Sequence, residues 1–360
     1  MLSLGIETSC DETSIAVVTD KGEVLSNIIL SQIEEHKPYG GVVPEIAARS
    51  HLVHIRNVYE KALAEAAVTL ADINIISATA GPGLIGGLIV GLMFGKSLAA
   101  VSGKPFIAVN HLEGHALTVR FTDKVKFPYL LFLASGGHCQ FLLVQGVGDY
   151  VKLGGTLDDA IGEAFDKTAK LLGLGYPGGP KVEQEALKGD KHAYNLPLPL
   201  VGRDGCDFSF SGLKTAVRNL NPEARNQKPE TTGNSQLVTR SSDTQSLQYI
   251  PNVCASFQHT VCQILKDRTR NAITMTLALN PKVRTLVVAG GVAANQAIRQ
   301  TLNEIAGLHD MQMFAPPLRL CTDNAAMIAW AGLENYKAGN VSSLSSEPRA
   351  RWPLMNLTRS

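Results

Sequence analysis

The chain has 360 residues, 45% hydrophobic and 18% charged, so it can bury a sizeable core and is expected to form two domains of ordinary size. Its formal net charge of +1 excludes the overall basic field of many nucleic-acid binders, and any RNA contact must use a local patch. Six scattered cysteines without a CxxC pair, and a start without signal or transit features, favour reduced thiols and a cytoplasmic location.

The first half of the chain predicts a three-stranded meander followed by alternating strands and helices. Apolar alternation and turn residues mark the strands, and longer apolar periods mark the helices. The predicted strands cover residues 2–7, 14–20, 23–31, 74–80 and 106–109, and the predicted helices cover 43–67 and 84–102.

One uncharged stretch, residues 73–95, has about the length of a membrane helix. Pro82 lies between two glycines and breaks it, so a buried strand followed by a helix is the better interpretation. Gly87, Gly91 and Gly95 would then form one closely packed helix face. No membrane segment is expected.

The second half repeats the pattern of the first. Strands are predicted at 129–134, 138–145 and 150–155, and a further strand at 285–289 precedes Gly290, Gly291 and a helix from about residue 295. Consecutive backbone N–H groups in such small-residue turns can cradle phosphate oxygens. The arrangement resembles the duplicated fold of sugar kinases, actin and heat-shock chaperones.

Two segments lack the periodicity of folded elements. Residues 221–246 are polar with almost no large apolar side chain and are predicted to be a flexible insertion. The tail after Gly339 is also polar; it is expected to lie over the surface, where a partner can touch it, and a frayed end is the ordinary alternative.

His111 and His115 stand four residues apart and would project from one face of a helix toward a single point. This is metal-ligand spacing. A zinc protease would need glutamate directly after the first histidine as its general base, but Leu112 stands there and Glu113 is about 100° further round the helix. The protease interpretation therefore lacks its base.

Motifs in one order along nearly the whole chain resemble the TsaD family of tRNA N6-adenosine threonylcarbamoyltransferases, formerly described as glycoproteases. The resemblance implies a duplicated α/β fold of the actin-like, sugar-kinase-like (ribonuclease H-like) type, with a nucleotide cleft between two domains. The motifs are GIETSCDETS from Gly5, HLEGH from His111, ASGGH from Ala134, FDKTAK from Phe165, YPGGP from Tyr176, FSFSGLK from Phe208, GGVAAN from Gly290 and CTDNA from Cys321.

The resemblance implies transfer of the threonylcarbamoyl group from its adenylate to N6 of the adenosine beside the anticodon, in tRNAs that read codons beginning with A. It also implies that His111, His115 and Asp323 bind one divalent transition metal, for which Fe²⁺ is preferred and Zn²⁺ is the alternative. Two imidazoles and a carboxylate with open positions suit either ion. The archaeal and eukaryotic branch has a tyrosine where this chain has Leu133, so no tyrosine ligand is expected.

The family's substrate residues transfer to matching positions of this sequence. Adenosine N6 is a weak nucleophile, so a carboxylate is expected to take its proton, and Asp11 is the candidate. His138 is the candidate for contacting the carbamoyl or phosphate oxygen. The expected substrate turn comprises Ala134, Ser135, Gly136, Gly137 and His138, and the expected nucleotide contacts are Asp166, Gly179, Glu183 and Asn295.

The expected domains are residues 1–125, completed by a C-terminal helix at about 324–340, and residues 126–323 with the insertion, followed by a surface tail at 341–360. The resemblance implies as partners tRNA, a paralogous dimerisation protein of the TsaB type, a small ATPase of the TsaE type and an adenylate synthase of the TsaC type. Candidate RNA-contacting cations are Lys167, Lys170, Lys214, Arg218, Arg268 and Arg270.

Two alternatives stay open at this point. A sugar or acetate kinase of the same fold would use ATP and Mg²⁺ and would need no imidazole pair. A non-catalytic scaffold of the same wider family is the other, and the presence of both histidines and Asp323 argues against it.

Overall fold

The computed structural model describes residues 1–220 and 244–357, which form two mixed sheets with helices packed around them. The strands are β1 Leu2–Glu7, β2 Glu12–Thr19, β3 Val24–Ser31, β4 Ile75–Gly81, β5 Phe106–Asn110, β6 Tyr129–Ala134, β7 Cys139–Gly146, β8 Asp149–Gly155, β9 Thr285–Ala289 and β10 Gln312–Phe314. The helices are α1 Ile33–His36, α2 Pro44–Glu65, α3 Ile85–Ser102, α4 His111–Thr122, α5 Ile161–Leu171, α6 Gly178–Ala186, α7 Ser211–Leu220, α8 Thr244–Leu279, α9 Gln296–Gly307 and α10 Ala325–Lys337.

The two sheets have the same topology, which confirms the predicted duplication. Their strand orders are β3-β2-β1-β4-β5 and β10-β9-β6-β7-β8. In each, an antiparallel meander of three strands is extended by two parallel strands. The carboxyl ends of parallel strands are where open α/β sheets bind ligands, so the turns after β4, β5 and β9 mark the candidate site.

Helix α10 comes from the far end of the chain yet packs against the first sheet, on β1, β2 and β4. The approach is close: a Cβ on Gly5 of β1 would stand 2.2 Å from the Ala325 carbonyl oxygen, and one on Gly332 would stand 1.8 Å from Ser77 Oγ. Glycine is therefore required at both positions. The division of the chain into domains at residue 125 stays a prediction.

Helix α3 carries the predicted glycine face, and the structure confirms its close packing. A Cβ on Gly87 or Gly91 would stand within 2.3 Å of Thr8 atoms, and one on Gly95 would press against Ala78. By length and composition α3 is the one helix among the described residues that is apolar enough to cross a membrane, with a mean hydropathy of 1.7 and 33% of its residues buried. Contact with the first sheet accounts for the buried apolar face, whereas Ile85, Ile89, Met93 and Val101 are exposed on the other face.

The tail after α10 is a packed segment as far as it is described, so a frayed end is wrong for that part. Its backbone runs along β4, because Arg349 N donates to Ala80 O (2.7 Å) and Gly83 N donates to Ala350 O (3.3 Å). Asn110 Nδ2 donates to Trp352 O (2.8 Å), and Leu354 is 1% exposed in a core cluster with Leu112. We call residues 349–355 the C-terminal strap.

The predicted insertion at 221–246 lies outside the described residues except for 244–246, which begin α8. Within α8 one sequence-based expectation was wrong. Arg268 is 1% exposed, donates to the backbone oxygens of Arg203 and Gly205, and pairs with Asp267. A buried guanidinium with all these partners holds the loop at 203–205 and is not available to RNA.

Helix α4 joins the two halves through Glu113, which is 3% exposed. Its carboxylate accepts hydrogen bonds from Tyr150 Oη (2.8 Å) and Gly148 N (3.1 Å) at the β7–β8 turn, and from Asn335 Nδ2 (2.9 Å) on α10. Burial and the Glu113 charge raise the pKa of Tyr150, so the phenol keeps its proton and donates. Glu113 is thus a buried connector, which also explains why it cannot act as a protease base.

We expect Glu113→Ala to lower the free energy of unfolding by about 3 to 5 kcal/mol, because three donors would lose a buried acceptor. Tyr150→Phe removes one donor and leaves the carboxylate two others, so it should cost about 1 kcal/mol. Urea denaturation followed by circular dichroism measures both. Equal effects of the two substitutions would contradict the connector role.

Candidate active site

Three side chains that the sequence singled out converge at one point. The Nε2 atoms of His111 and His115 lie 3.4 and 3.1 Å from Asp323 Oδ1, and the three candidate ligand atoms all lie within 4.8 Å of one another. Asn110 fixes the start of α4, because its Oδ1 accepts from Leu112 N (2.9 Å) and Glu113 N (3.3 Å). Both rings therefore project from the first turns of a helix with a fixed start.

Asp323 stands one residue before the cap of α10. Asn324 is the capping residue, and its Oδ1 accepts from Met327 N (3.1 Å). Asp323 is therefore not the cap of α10, because its neighbour Asn324 fills that position. The Asp323 carboxylate is left to face the histidines.

Glu7 at the end of β1 contacts the cluster, and the sequence analysis missed it. It is 1% exposed, and its Oε2 accepts from His111 Nδ1 (2.9 Å) and Thr79 Oγ1 (2.6 Å). A carboxylate on Nδ1 fixes the ring orientation and leaves Nε2 as the ligand atom. The motif containing Glu7 was noticed, but its partner is 104 residues away and no local pattern signals the pairing.

The charges around His111 determine its protonation. Burial opposes the charged imidazolium, but the carboxylates of Asp323 and Glu7 outweigh burial and raise the pKa of His111. Burial likewise opposes ionisation of Asp323, while His111 and His115 lower the pKa of Asp323. Without a metal the cluster is therefore an ion pair with a proton on His111.

The cluster fits a divalent transition metal. Ligands at about 2.0 to 2.2 Å in a tetrahedral arrangement lie about 3.3 Å from one another, close to the observed 3.1 and 3.4 Å separations from Asp323. The three candidate atoms span up to 4.8 Å, so the two imidazoles would have to move closer together around a bound ion. Two nitrogens and one carboxylate oxygen are a donor set that leaves positions open for substrate or water. Leu133 is fully buried among apolar side chains and offers no ligand.

Asp11 ends the turn after β1, Glu12 begins β2, and both line the cleft beside the cluster. Burial, followed by the charges of Asp323 and Asp11, raises the pKa of Glu12 to about 9. The side chains of Glu12 and Asp11 are hydrogen-bonded to each other. Glu12 therefore holds a proton at neutral pH in this geometry, and a perturbed carboxyl in a cleft is typical of an acid–base site.

The turn at residues 135–138 faces the same cleft from the second sheet. Ser135 N donates to His138 O (2.8 Å), and no atom lies within 4 Å of where a Cβ of Gly136 or Gly137 would stand. Burial, followed by the charges of His111 and His115, lowers the pKa of His138 to about 4, so its imidazole is neutral. Ala134 is buried, and its carbonyl oxygen packs against Gly290, which brings the two glycine turns together.

The nucleotide-binding candidates line the far part of the cleft, and several already have protein partners. Asp166 Oδ1 accepts from Gly178 N (2.7 Å), and Glu183 Oε1 accepts from Gln296 N (2.7 Å). Asn295 caps α9, since its Oδ1 accepts from Ile298 N (3.0 Å) and its Nδ2 donates to Gln258. Nothing lies within 4 Å of a Cβ built on Gly179.

All these candidates except Ala134 and His115 border one cleft of about 860 Å³, in the size range of small-molecule sites. The C-terminal strap forms part of its wall through residues 350–353 and Met355, which the sequence analysis did not foresee. The cleft therefore joins the candidate metal ligands, the candidate substrate turn and the nucleotide-binding candidates in one space.

Several of the candidate RNA-contacting cations already form ion pairs within the protein. Lys167 pairs with Asp159 (2.7 Å) and Glu163 (2.8 Å), and Arg270 pairs with Asp267. Lys214 and Arg218 are exposed on α7. None of these lines the cleft, so their role in RNA binding stays a prediction.

Solved structures with the same fold support the architecture. The chain superimposes on HypF from T. kodakarensis with a TM-score of 0.55 and 13% identity, over 94% of this chain and 48% of that one. It also matches component A of (R)-2-hydroxyglutaryl-CoA dehydratase from Acidaminococcus fermentans, with a TM-score of 0.51 and 14% identity, over 94% of this chain and 100% of that one. These likenesses show the predicted actin-like, sugar-kinase-like two-domain fold and nothing about the reaction.

Sequence relatives are much closer. A protein of Rhodospirillum rubrum is 56% identical over 356 residues, covering 98% of this chain and 94% of its own, and one of Agrobacterium fabrum is 55% identical over 359 residues, covering 98% and 93%. Both are named tRNA N6-adenosine threonylcarbamoyltransferase. The family model of that description matches residues 23–330. The chain therefore belongs to the TsaD family of tRNA N6-adenosine threonylcarbamoyltransferases.

Proposed function

We propose that the cleft transfers the threonylcarbamoyl group from threonylcarbamoyl-adenylate to N6 of the adenosine beside the tRNA anticodon, with release of AMP. The observation that carries the proposal is the convergence of His111, His115 and Asp323, of which His111 and Asp323 line the cleft that also contains the turn at 135–138. The close relatives share the name of this transferase, and nothing favours the kinase alternative.

His111, His115 and Asp323 would hold one divalent transition metal, with Fe²⁺ as the proposed ion and Zn²⁺ as the alternative. Such an ion acts as a Lewis acid toward a bound carbonyl oxygen. The protein's own contribution is to fix the ligand directions: Asn110 caps α4, and Glu7 orients His111. Removal of Glu7 would keep all three candidate ligands but leave the orientation of the His111 ring less fixed.

The adenylate would bind across the cleft with its phosphate against the turn at 135–138. Backbone N–H groups of Gly136 and Gly137 and the neutral His138 ring would contact the phosphate or the carbamoyl oxygen. Asp166, Gly179, Glu183 and Asn295 would hold the nucleoside. The carboxylate of Asp166 already accepts from Gly178 N and Gly179 N, and because two carboxylate oxygens offer about four acceptor sites it can still accept from a ribose hydroxyl.

In the reaction, N6 forms a bond to the carbamoyl carbon, the bond from that carbon to the phosphate oxygen breaks, and N6 loses a proton. We assign the proton to Asp11, which lines the cleft and is 6% exposed. The Glu12 carboxyl, with its raised pKa, would keep its own proton and its hydrogen bond to Asp11. Orientation of the weak nucleophile against the acyl carbon supplies the remaining acceleration.

The partners follow from the family. tRNA and threonylcarbamoyl-adenylate are the substrates, and the adenylate would be supplied by a TsaC-type synthase. A TsaB-type paralogue and a TsaE-type ATPase are proposed to work with this chain in the cytoplasm, without a membrane. No surface is assigned to either protein.

The first experiment is transfer of radiolabelled threonine into unmodified tRNA by the purified chain with its synthase and partner proteins. We expect His111→Ala and His115→Ala to lose nearly all label and most bound metal, because each removes a ligand. His309→Ala, a histidine outside the cleft, is the matched control and should retain both. Absence of label from well-folded wild type with every partner present would overturn the proposed function.

Glu7→Gln is expected to weaken Zn²⁺ binding about 10- to 100-fold, because a neutral amide orients His111 less strongly than a carboxylate. Competition with a chromophoric chelator measures the dissociation constant. Asp72→Asn, which changes a carboxylate in the turn at 70–72, is the control and should bind Zn²⁺ like wild type. An unchanged constant for Glu7→Gln would show that Glu7 does not position the ligand.

Zn²⁺ affinity should fall as the pH falls. The raised pKa of His111 means that the metal-free site carries a proton, which the metal must displace. Below that pKa the apparent affinity should drop about tenfold per pH unit, and above it the dependence should disappear. Calorimetry in buffers of different ionisation enthalpy should detect release of about one proton; no release would contradict the protonated His111.

A further inference from the structure

The cleft lining is acidic except along one rim. Its acidic residues are Asp11, Glu12, Asp166, Glu183 and Asp323, and among the described residues that border it the only lysine and arginine are Lys152 and Arg351. Both are exposed, and neither makes an ion pair with a described residue. Two unpaired cations thus stand beside a cleft that is otherwise lined by several carboxyl groups.

Separate elements bring these cations to the same rim. Lys152 lies on β8, where its side chain passes over Gly155: a Cβ on Gly155 would stand 3.2 Å from Lys152 Nζ. Arg351 belongs to the C-terminal strap, and the short 3₁₀ turn Leu354–Asn356 that ends the strap packs against β8. The rim is therefore formed jointly by β8 and the strap.

The backbone on either side of Arg351 is fixed. Ala350 O accepts from Gly83 N, and Trp352 O accepts from Asn110 Nδ2, the side chain that also caps α4. Arg349 lies over the Trp352 ring at 5.0 Å, and Leu354 is buried. The backbone on both sides of Arg351 is therefore hydrogen-bonded to the first half of the chain, on one side to the residue that caps α4.

We propose that Lys152 and Arg351 bind backbone phosphates of the RNA strand that carries the target adenosine, so that this rim is the entrance for the nucleic acid. The inference rests on the proposed function and adds the surface through which its RNA enters. A phosphate on either side of the adenosine approaches an acid-rich cleft, and cations at the rim offset that repulsion.

The adenylate is the other anion that enters the cleft, but a different part of the cleft binds it. Its phosphate has the N–H groups of the turn at 135–138. Lys152 and Arg351 are exposed at the rim. An RNA strand that enters the cleft runs across this rim, whereas the adenylate binds inside the cleft. These cations contribute affinity and direction of approach, since phosphate contacts carry no base specificity.

The test measures binding of unmodified tRNA to the full-length chain by fluorescence anisotropy between about 50 and 300 mM KCl. Lys152→Ala and Arg351→Ala should each weaken binding about five- to tenfold at the lower salt and each reduce the slope of log affinity against log salt by about one. Lys282→Ala, a lysine at the amino end of β9 and away from the cleft, is the matched control and should leave the slope unchanged.

Steady-state transfer distinguishes RNA phosphate from the adenylate. With partner proteins present, the two variants should raise KM for tRNA and leave KM for threonylcarbamoyl-adenylate and the Zn²⁺ affinity unchanged. A rise in KM for the adenylate alone, or an unchanged salt slope, would overturn the inference. Absence of transfer by wild type would refute the proposed function, whereas the salt slopes would still decide whether this rim binds RNA.

Discussion

The cleft depends on how helix α4 is held, because this one helix carries both candidate histidine ligands and is buried over almost its whole length. Three restraints act on it: the Asn110 cap, the Glu7 bond to His111 and the Glu113 connector between the halves. The cap acts within the first turn of α4, whereas the other two restraints join α4 to β1, to β8 and its preceding turn, and to α10. Movement of either half would therefore shift the candidate histidine ligands, because the close-packed interior leaves little free space around α4.

Regular periodicity made most of the fold predictable. Strands β1 and β6 have the predicted bounds because an uninterrupted apolar run fixes a buried strand, and the glycines of α3 identified its packed face. The metal cluster was anticipated in part by helical spacing, whereas Asp323 came from resemblance alone. Local sequence patterns do not predict contacts between residues far apart in the chain, such as the one between Glu7 and His111.

Two failures have a common physical cause. The strap is polar and aperiodic, yet a single leucine and a few backbone hydrogen bonds hold it. Arg268 has the composition of a surface residue, yet carbonyl oxygens and Asp267 satisfy its donors in the interior. In both cases backbone groups make most of the hydrogen bonds. Every residue has the same backbone groups apart from proline, so the side-chain pattern of the sequence does not predict these contacts.

Helix α10 has a further consequence for how the protein is made. The face of the first sheet that it covers carries buried residues such as Ala16, Val18 and Ile75, which share one core cluster with Met327 and Ile328. The ribosome completes that sheet long before it synthesises residues 325–337. During translation the nascent chain must therefore display an apolar sheet face, which makes it a candidate for chaperone capture until the last helix emerges.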